Sequence, residues 1–253
     1  MGLEEPRAKY RQVADLLRAA IKAGEYPPGT ALPGQLDLAK KYGLTQSSIS
    51  DAVALLEREG LVRKAQGRPT FVQEIPTVKR IRLIDKDYRT NPGGSAFAEE
   101  MRRSGLTSKA DLVELDVIDP PEQIVALFGL DDDEQVIIRR RHMFADDIPI
   151  QIAISYIPIR YAGSKDLALP DTGPSGIYAR LAERGFGPVR FVEEIEVRSS
   201  TVEESRFLRI PTEQIVFEVV RSAIDAGDKP VEACRNILSA AQWKLAYGWR
   251  QEP

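Results

Sequence analysis

Two places in this 253-residue chain gather side chains that could do chemistry. The first is Thr45-Gln46-Ser47-Ser48, with Ser50 following, short polar groups at the start of a helical pattern. Gln46 suits adenine N6 and N7 together, and each serine suits a single hydrogen bond to a base edge. The second is Arg139-Arg140-Arg141. On a strand Arg139, Arg141 and Met143 share one face, while Ile138, Arg140 and His142 share the other. Such a face is either a solvated or salt-bridged surface or a clamp for an anion. Other candidates are weaker. Cys234 is the only cysteine and His142 the only histidine, so neither an internal disulfide nor a Cys/His zinc set is expected. His142 has no serine or cysteine nucleophile that the sequence pairs with it, and no cofactor is expected. Asp131-Asp132-Asp133-Glu134 reads as a solvated acidic loop.

The polar quartet needs a helix, and its setting supplies one. Gln35 to Gly60 reads as two helices joined at Tyr42-Gly43-Leu44, a helix-turn-helix, with an ordinary helical hairpin as the alternative. Thr45 caps the second helix, Ile49, Ala52, Val53 and Leu56 bury its other face, and Gly60 stops it. In a helix-turn-helix the second helix enters the DNA major groove by its N-terminal end. Lys9 to Ala23 forms an earlier helix with Val13, Leu16, Leu17, Ala20 and Ile21 on one stripe. Leu61 to Lys64 and Thr70 to Val72 make two short strands around a basic turn containing Gly67 and Arg68. A cation at such a tip suits phosphates or the minor groove.

Length favours two domains, and no apolar run is long enough to span a bilayer. The first residues lack the apolar core of a signal peptide, so a cytoplasmic protein is expected. The net charge is -3, but up to Val72 eleven lysines and arginines face eight acids, a local balance of +3 that leaves -6 for the remainder. That asymmetry suits phosphate contact by two copies acting together.

Residues 9 to 72 resemble the winged-helix domain of the GntR superfamily. The likeness lies in Tyr10-x-Gln12-Val13-Ala14-x-x-Leu17-Arg18, Pro28-Gly29, Leu32-Pro33, Leu38-Ala39, Tyr42-Gly43-Leu44, Glu59-Gly60-Leu61 and Gln66-Gly67-Arg68-x-Thr70-Phe71-Val72. The resemblance implies DNA contacts from Lys9, Tyr10, Gln35, Thr45, Gln46, Ser47, Ser48, Ser50, Gly67, Arg68 and Thr70. It also exposes departures. The family has Ser-Glu-Arg after Leu-Pro, where Gly34-Gln35-Leu36 stands here, Ser-Arg at the start of the recognition helix, where Thr45-Gln46 stands, and a further arginine at Ser50. Losing those arginines removes guanine readers and phosphate anchors, so the operator should differ.

Beyond the linker, the expected order is strand (Arg80 to Ile84), helix (through Met101), strand (Leu112 to Val117), helix (Pro121 to Phe128), hairpin (Val136 to Tyr156), helix (Ile177 to Arg184) and strand (Val189 to Arg198). The end then repeats the middle. Leu127 to Leu130, Glu134 to Arg139 and Pro149-Ile150-Gln151 recur about 80 residues later as Phe207 to Ile210, Glu213 to Phe217 and Pro230-Val231-Glu232. Two such helix-plus-hairpin copies should pair into one antiparallel sheet with pseudo-two-fold symmetry, helices on one side and a pocket at the seam. The fold class is α+β, with domains at 6–75 and 80–249 joined by residues 76–79.

This second half resembles the effector-binding UTRA domain of the HutC subfamily, whose fold is shared with chorismate lyase. The likeness rests on a Gly/Ser loop before the first helix, Arg141 eight residues ahead of Ile148-Pro149, Ser155-Tyr156-Ile157-Pro158, Ile177-Tyr178, and Gly227-x-x-Pro230-Val231-Glu232. It implies that Arg141 holds an anionic ligand group, joined by the backbone of Gly94, Ser95, Ala96 and Phe97, by Tyr178 and Glu232, and less strongly by Ser175. Relatives that bind amino-sugar phosphates carry an acid at Ala153, an arginine at Met143 and a tyrosine at Leu238. The less polar pocket here implies a ligand with one anionic end and a larger apolar part. The function expected is a ligand-responsive transcriptional regulator, a repressor as most of the subfamily are, acting as a homodimer on a near-palindromic double-stranded DNA operator without membrane association. A chorismate-lyase-like enzyme, and a partner-binding module whose winged helix no longer reads DNA, are the other two readings.

Overall fold

The computed structural model describes residues 8–64, 69–73, 78–83, 96–162 and 176–248. They divide into two compact units, one of residues 1–76 with 200–214 and one of residues 77–199 with 215–253.

In the first unit α1 (Lys9–Lys22), α2 (Gln35–Tyr42) and α3 (Gln46–Arg58) enclose a core of Val13, Ala14, Leu17, Leu32, Leu38, Ile49, Ala52, Val53 and Leu56, closed by Val62 and Val72. The sharp turn between α2 and α3 depends on Gly43, whose φ of 65° is a left-handed conformation that costs a glycine little. β1 (Val62–Arg63) and β2 (Phe71–Val72) pair antiparallel as the wing, and the N–H of Leu32 donates to the carbonyl of Thr70 at 2.7 Å. One apolar position departs from the expected stripe. Leu16 is 54% exposed, and Ala14, next to Val13 on the inner face, is buried in its place. α8 (Val202–Leu208) begins with a full capping box, in which Thr201 and Glu204 satisfy each other's backbone N–H groups.

The second unit is built on a six-stranded antiparallel sheet in the order β4-β5-β6-β9-β8-β7. The strands are β4 (Ser108–Ile118), β5 (Val136–Ala145), β6 (Ile148–Pro158), β7 (Arg190–Ser199), β8 (Ile215–Ile224) and β9 (Pro230–Ser239). That order is symmetric about the β6–β9 seam, where Ile154 pairs with Arg235. The repeat reaches further than its most similar segments. α4 (Ala96–Arg103) precedes β4 as α7 (Gly176–Glu183) precedes β7, and α5 (Glu122–Phe128) precedes β5 as α8 precedes β8. Both α4 and α7 end in a glycine with positive φ, Gly105 at 72° and Gly185 at 84°. In both, the next residue closes the turn: Leu106 donates to the Met101 carbonyl at 2.9 Å, and Phe186 to that of Leu181 at 2.8 Å. Met101 and Leu181 are each fully buried. α4 packs through Phe97 and Met101 against Met143, Ala153 and Leu238, and α7 packs through Leu181 with Tyr178 near Ala223. Since Met143, Ala153, Leu238 and Ala223 lie in register on one sheet face, both helices cover that face. α6 (Ile159–Ala162) follows β6, and a separate parallel pair joins β3 (Val78–Leu83) to β10 (Trp243–Gly248).

Candidate functional site

The DNA-facing candidates sit where a recognition helix needs them. Thr45 is the N-cap of α3, and its hydroxyl accepts from the N–H of Ser48 at 3.3 Å and lies 3.1 Å from the Ser48 hydroxyl. Thr45 and Ser48 are therefore partly engaged with each other. Gln46 and Ser47 are exposed on the first turn, and Ser50 is half-buried one turn on. Lys9 and Gln35 are exposed at the starts of α1 and α2, and Thr70 is half-buried beside the wing. Tyr10 packs on the core and accepts a hydrogen bond from Arg11 Nε at 3.0 Å. Gly67 and Arg68 lie outside the described residues.

One cation of the first helix is engaged within its own unit. Arg18 is held inside the unit by Glu59, through Nε at 2.8 Å and Nη2 at 2.6 Å, and by Asp15. Glu59 first and Asp15 second hold its guanidinium well above its ordinary range against some desolvation. Arg18 therefore braces α1 against the end of α3. Lys9, Lys22, Lys40, Arg58 and Arg63 are exposed and have no ion pair among the described residues.

In the second unit the register brings the effector candidates together. One cross-strand row runs Arg139–Ser155–Cys234–Arg221, and the next on the same face runs Arg141–Ala153–Asn236–Val219. Arg141 Nη2 donates to the Ser155 hydroxyl at 2.8 Å and lies 3.8 Å from Cys234 Sγ. Its Nε is buried without a partner, and among the described residues no carboxylate pairs with it. Burial and the neighbouring Arg141 charge push the Arg139 guanidinium below its ordinary range. Arg140 points to the other face and pairs with Glu114 at 2.8 Å. The triple thus divides, with one arginine on a solvated ion pair and two turned inward.

The other half of the face is more fully paired. The Tyr178 hydroxyl donates to Glu232 Oε2 at 2.8 Å and accepts from Arg221 Nη2. The Arg221 guanidinium lies 5.5 Å from the Tyr178 ring centre and 5.0 Å from that of Phe191. Burial opposes its charge, but Tyr178 and Glu232 outweigh burial and raise its pKa. Burial also pushes the Tyr178 phenol well above its ordinary value, with Arg221 acting in the opposite sense. Arg221 is a residue the sequence reading missed. Its equivalence to Arg141 shows only in the register: Arg141 pairs with Ala153 and Arg221 with Cys234, each one residue from the Ile154–Arg235 pair at the seam.

The remaining candidates are placed as follows. Ala153 is buried in the Arg141 row, and Phe97 is a core side chain. Ala96 opens α4. Gly94, Ser95 and Ser175 lie outside the described residues. The seam is lined with buried side chains, among them Ser155, Cys234, Asn236 and Glu232, and a surface groove of about 580 Å³ lies elsewhere, beside Asp131, Glu134 and Arg160. Trp243 is buried and donates to the Ile150 carbonyl at 2.7 Å.

Comparison with known proteins agrees with both halves. Residues 9–72 match the bacterial regulatory proteins of the gntR family, and residues 103–243 match the UTRA domain. The chain belongs to the GntR family of regulators and carries a C-terminal UTRA domain. It is 28% identical over 245 residues to the HTH-type transcriptional repressor NagR of Bacillus subtilis (strain 168), covering 96% of each chain. It is 21% identical to the HTH-type transcriptional regulator GgaR of Escherichia coli (strain K12), covering 88% of this chain and 84% of the relative. Its fold matches the crystal structure of PhnF from Mycobacterium smegmatis with a TM-score of 0.60 at 17% identity, over 97% of this chain and all of that one. The protein is a ligand-responsive, DNA-binding transcriptional regulator.

Proposed function

We propose that this regulator is a homodimeric repressor whose affinity for a near-palindromic operator is set by a small organic anion bound at Arg141. The domains are taken as 6–75 and 80–249 around a linker at 76–79. The observation that carries the reading is the inward-turned Arg141, whose Nε has no partner and whose charge has no carboxylate beside it among the described residues. A half-buried guanidinium whose Nε is shut off from water is costly unless something completes it, and an anion does so best. Tyr178 and Glu232 supply a second polar group on the same face, with Ala153 and, from their places in the chain, Gly94, Ser95, Ala96, Phe97 and Ser175 around the ligand. Repression is supported by the name of the NagR relative.

On DNA, dimer symmetry places two copies of α3 on two half-sites. Gln46 and Ser47 read base edges, Ser50 and Ser48 add single contacts, and Thr45 serves chiefly as the cap. Lys9, Tyr10, Gln35, Gly67, Arg68 and Thr70 meet the backbone. With few arginines at the reading end, affinity depends on phosphate contacts and falls steeply with salt. The anion alters operator affinity only if the DNA-competent and incompetent arrangements bind it unequally. Such a regulator works where its DNA is, in the cytoplasm.

Fluorescence anisotropy with the protein's own upstream DNA and a scrambled duplex tests this. The expected result is a salt-sensitive preference for the upstream duplex that Gln46→Ala redirects at one base pair per half-site. Equal affinity for both duplexes, or an unchanged preference in Gln46→Ala, refutes the assignment of α3.

A further inference from the structure

The pseudo-two-fold repeat makes the two halves of the Arg141 face comparable residue by residue. Arg141 on β5 corresponds to Arg221 on β8, and both sit opposite a small residue of the inner hairpin strand, Ala153 or Cys234. Gln151, which pairs with Met143, corresponds to Glu232, which pairs with Ala223. With Met101 matching Leu181 and Gly105 matching Gly185, Ala98 on α4 corresponds to Tyr178 on α7. The second half is therefore an arginine, a carboxylate and a phenol whose single oxygen accepts from Arg221 and donates to Glu232. The first half has the arginine and a side-chain oxygen acceptor, but a methyl where the phenol stands.

The orientation of Gln151 follows from its neighbours. Asn236 Nδ2 donates to the carbonyls of Val219 at 3.2 Å and Cys234 at 2.9 Å, which turns Asn236 Oδ1 towards Gln151. Gln151 Nε2 donates to that oxygen at 2.7 Å. Gln151 Oε1 is thereby fixed as an acceptor, and it is buried without a donor in a residue only 5% exposed. Arg141 Nε on the next strand is likewise buried without a partner. An unmet donor and an unmet acceptor thus lie on one face, two residues apart in register, matching the pair that Tyr178 bridges in the other half. The halves differ in charge as well. Glu232 compensates Arg221, whereas Gln151 is neutral and leaves the Arg141 charge for the ligand to balance.

We infer that the effector is an organic anion with a hydroxyl on the carbon next to its charged group, and that Gln151 is the residue that selects for that hydroxyl. The inference rests on Arg141 being the effector site. The anionic group lies against Arg141, and the hydroxyl oxygen accepts from Arg141 and donates to Gln151 Oε1, as the Tyr178 oxygen does between Arg221 and Glu232. A deoxy analogue leaves Gln151 Oε1 unmet, and a buried polar group left in that state carries about tenfold or more in affinity.

The test is isothermal titration of the full chain with matched acids: lactate against propionate, malate against succinate, and mandelate against phenylacetate. At least one hydroxylated acid should bind about tenfold or more tighter than its partner. Gln151→Met should abolish that preference while leaving the deoxy acid bound, and Gln151→Glu should keep the preference while weakening both acids, because the new carboxylate compensates Arg141. Thermal melting of the unliganded variants separates selection from a folding defect, since a purely structural Gln151 would lower both affinities together with the melting temperature. Binding of none of the hydroxylated acids at millimolar concentration, or a preference unchanged in Gln151→Met, overturns the inference. Arg141→Gln keeps the two readings apart. If it leaves binding intact, the effector site itself is wrongly placed; if it abolishes binding while Gln151→Met is silent, only the hydroxyl selection falls.

Discussion

Replacing Tyr178 by phenylalanine removes an oxygen that hydrogen-bonds α7 to the sheet. The ring keeps its edge-on packing against Phe191, with centroids 5.4 Å apart, and its place beside the Arg221 guanidinium. What is lost is a donor to a buried carboxylate and an acceptor for a guanidinium. Hydrogen bonds to charged groups contribute about 1.5–3 kcal/mol each. Arg221 and Glu232 can recover part of this by closing on one another, so the net loss should be about 2 kcal/mol. For a unit of this size that lowers the melting temperature by about 4–8 °C. Fluorescence of Trp243, buried in the same unit, follows the transition. The effect should also depend on pH. The folded phenol is raised above its ordinary value of 10.0, so its contribution is complete below that value and is lost as pH rises towards the folded value. Wild type and Tyr178→Phe should therefore converge at high pH. A variant that melts with the wild type at neutral pH would show that the Tyr178 hydroxyl does not hold the two elements together.

Two further perturbations address separate parts of the molecule. Thr45→Ala should cost the first unit about 1 kcal/mol through loss of the α3 cap, and Thr45→Ser should restore it, as read by urea denaturation; equal stability of all three proteins refutes the capping role. Glu218 is partly desolvated, yet hydrogen bonds from Arg235 and Arg198 hold its pKa below the usual carboxylate value. Its stabilisation is present above the unfolded value of about 4.3 and is lost as pH falls through the lower folded value. Glu218→Gln should flatten the acid limb of a stability-versus-pH curve, and an unchanged limb would remove Glu218 from the account.

The legible parts of the sequence were those in which local chemistry decides the structure. Gly43 had to be the left-handed turn residue, Thr45 had to cap, and the buried set of α3 follows from its spacing. Leu16 was misplaced because a helical stripe read from spacing alone does not know where the neighbouring helices end. The repeat gave the sheet and its symmetric order, since two apolar hairpins can bury their edges most simply against each other. Within the site, Arg141 came from a resemblance to known proteins, while Arg221 and Gln151 were missed. Arg221 stands alone among apolar residues and Gln151 in an Ile-rich strand, so neither forms a local pattern. Their significance lies in the register across β5, β6, β9 and β8, which places residues some 80 apart in one row. The Arg18–Glu59 ion pair was invisible for the same reason, because Glu59 is 41 residues away.

The anion at Arg141 is the central claim, and native mass spectrometry of protein purified from its own host tests it most directly. The wild-type spectrum should contain a small-molecule adduct that dissociates as an anion and is absent from Arg141→Gln folded to the same melting temperature. An adduct retained at equal occupancy in Arg141→Gln would contradict the account.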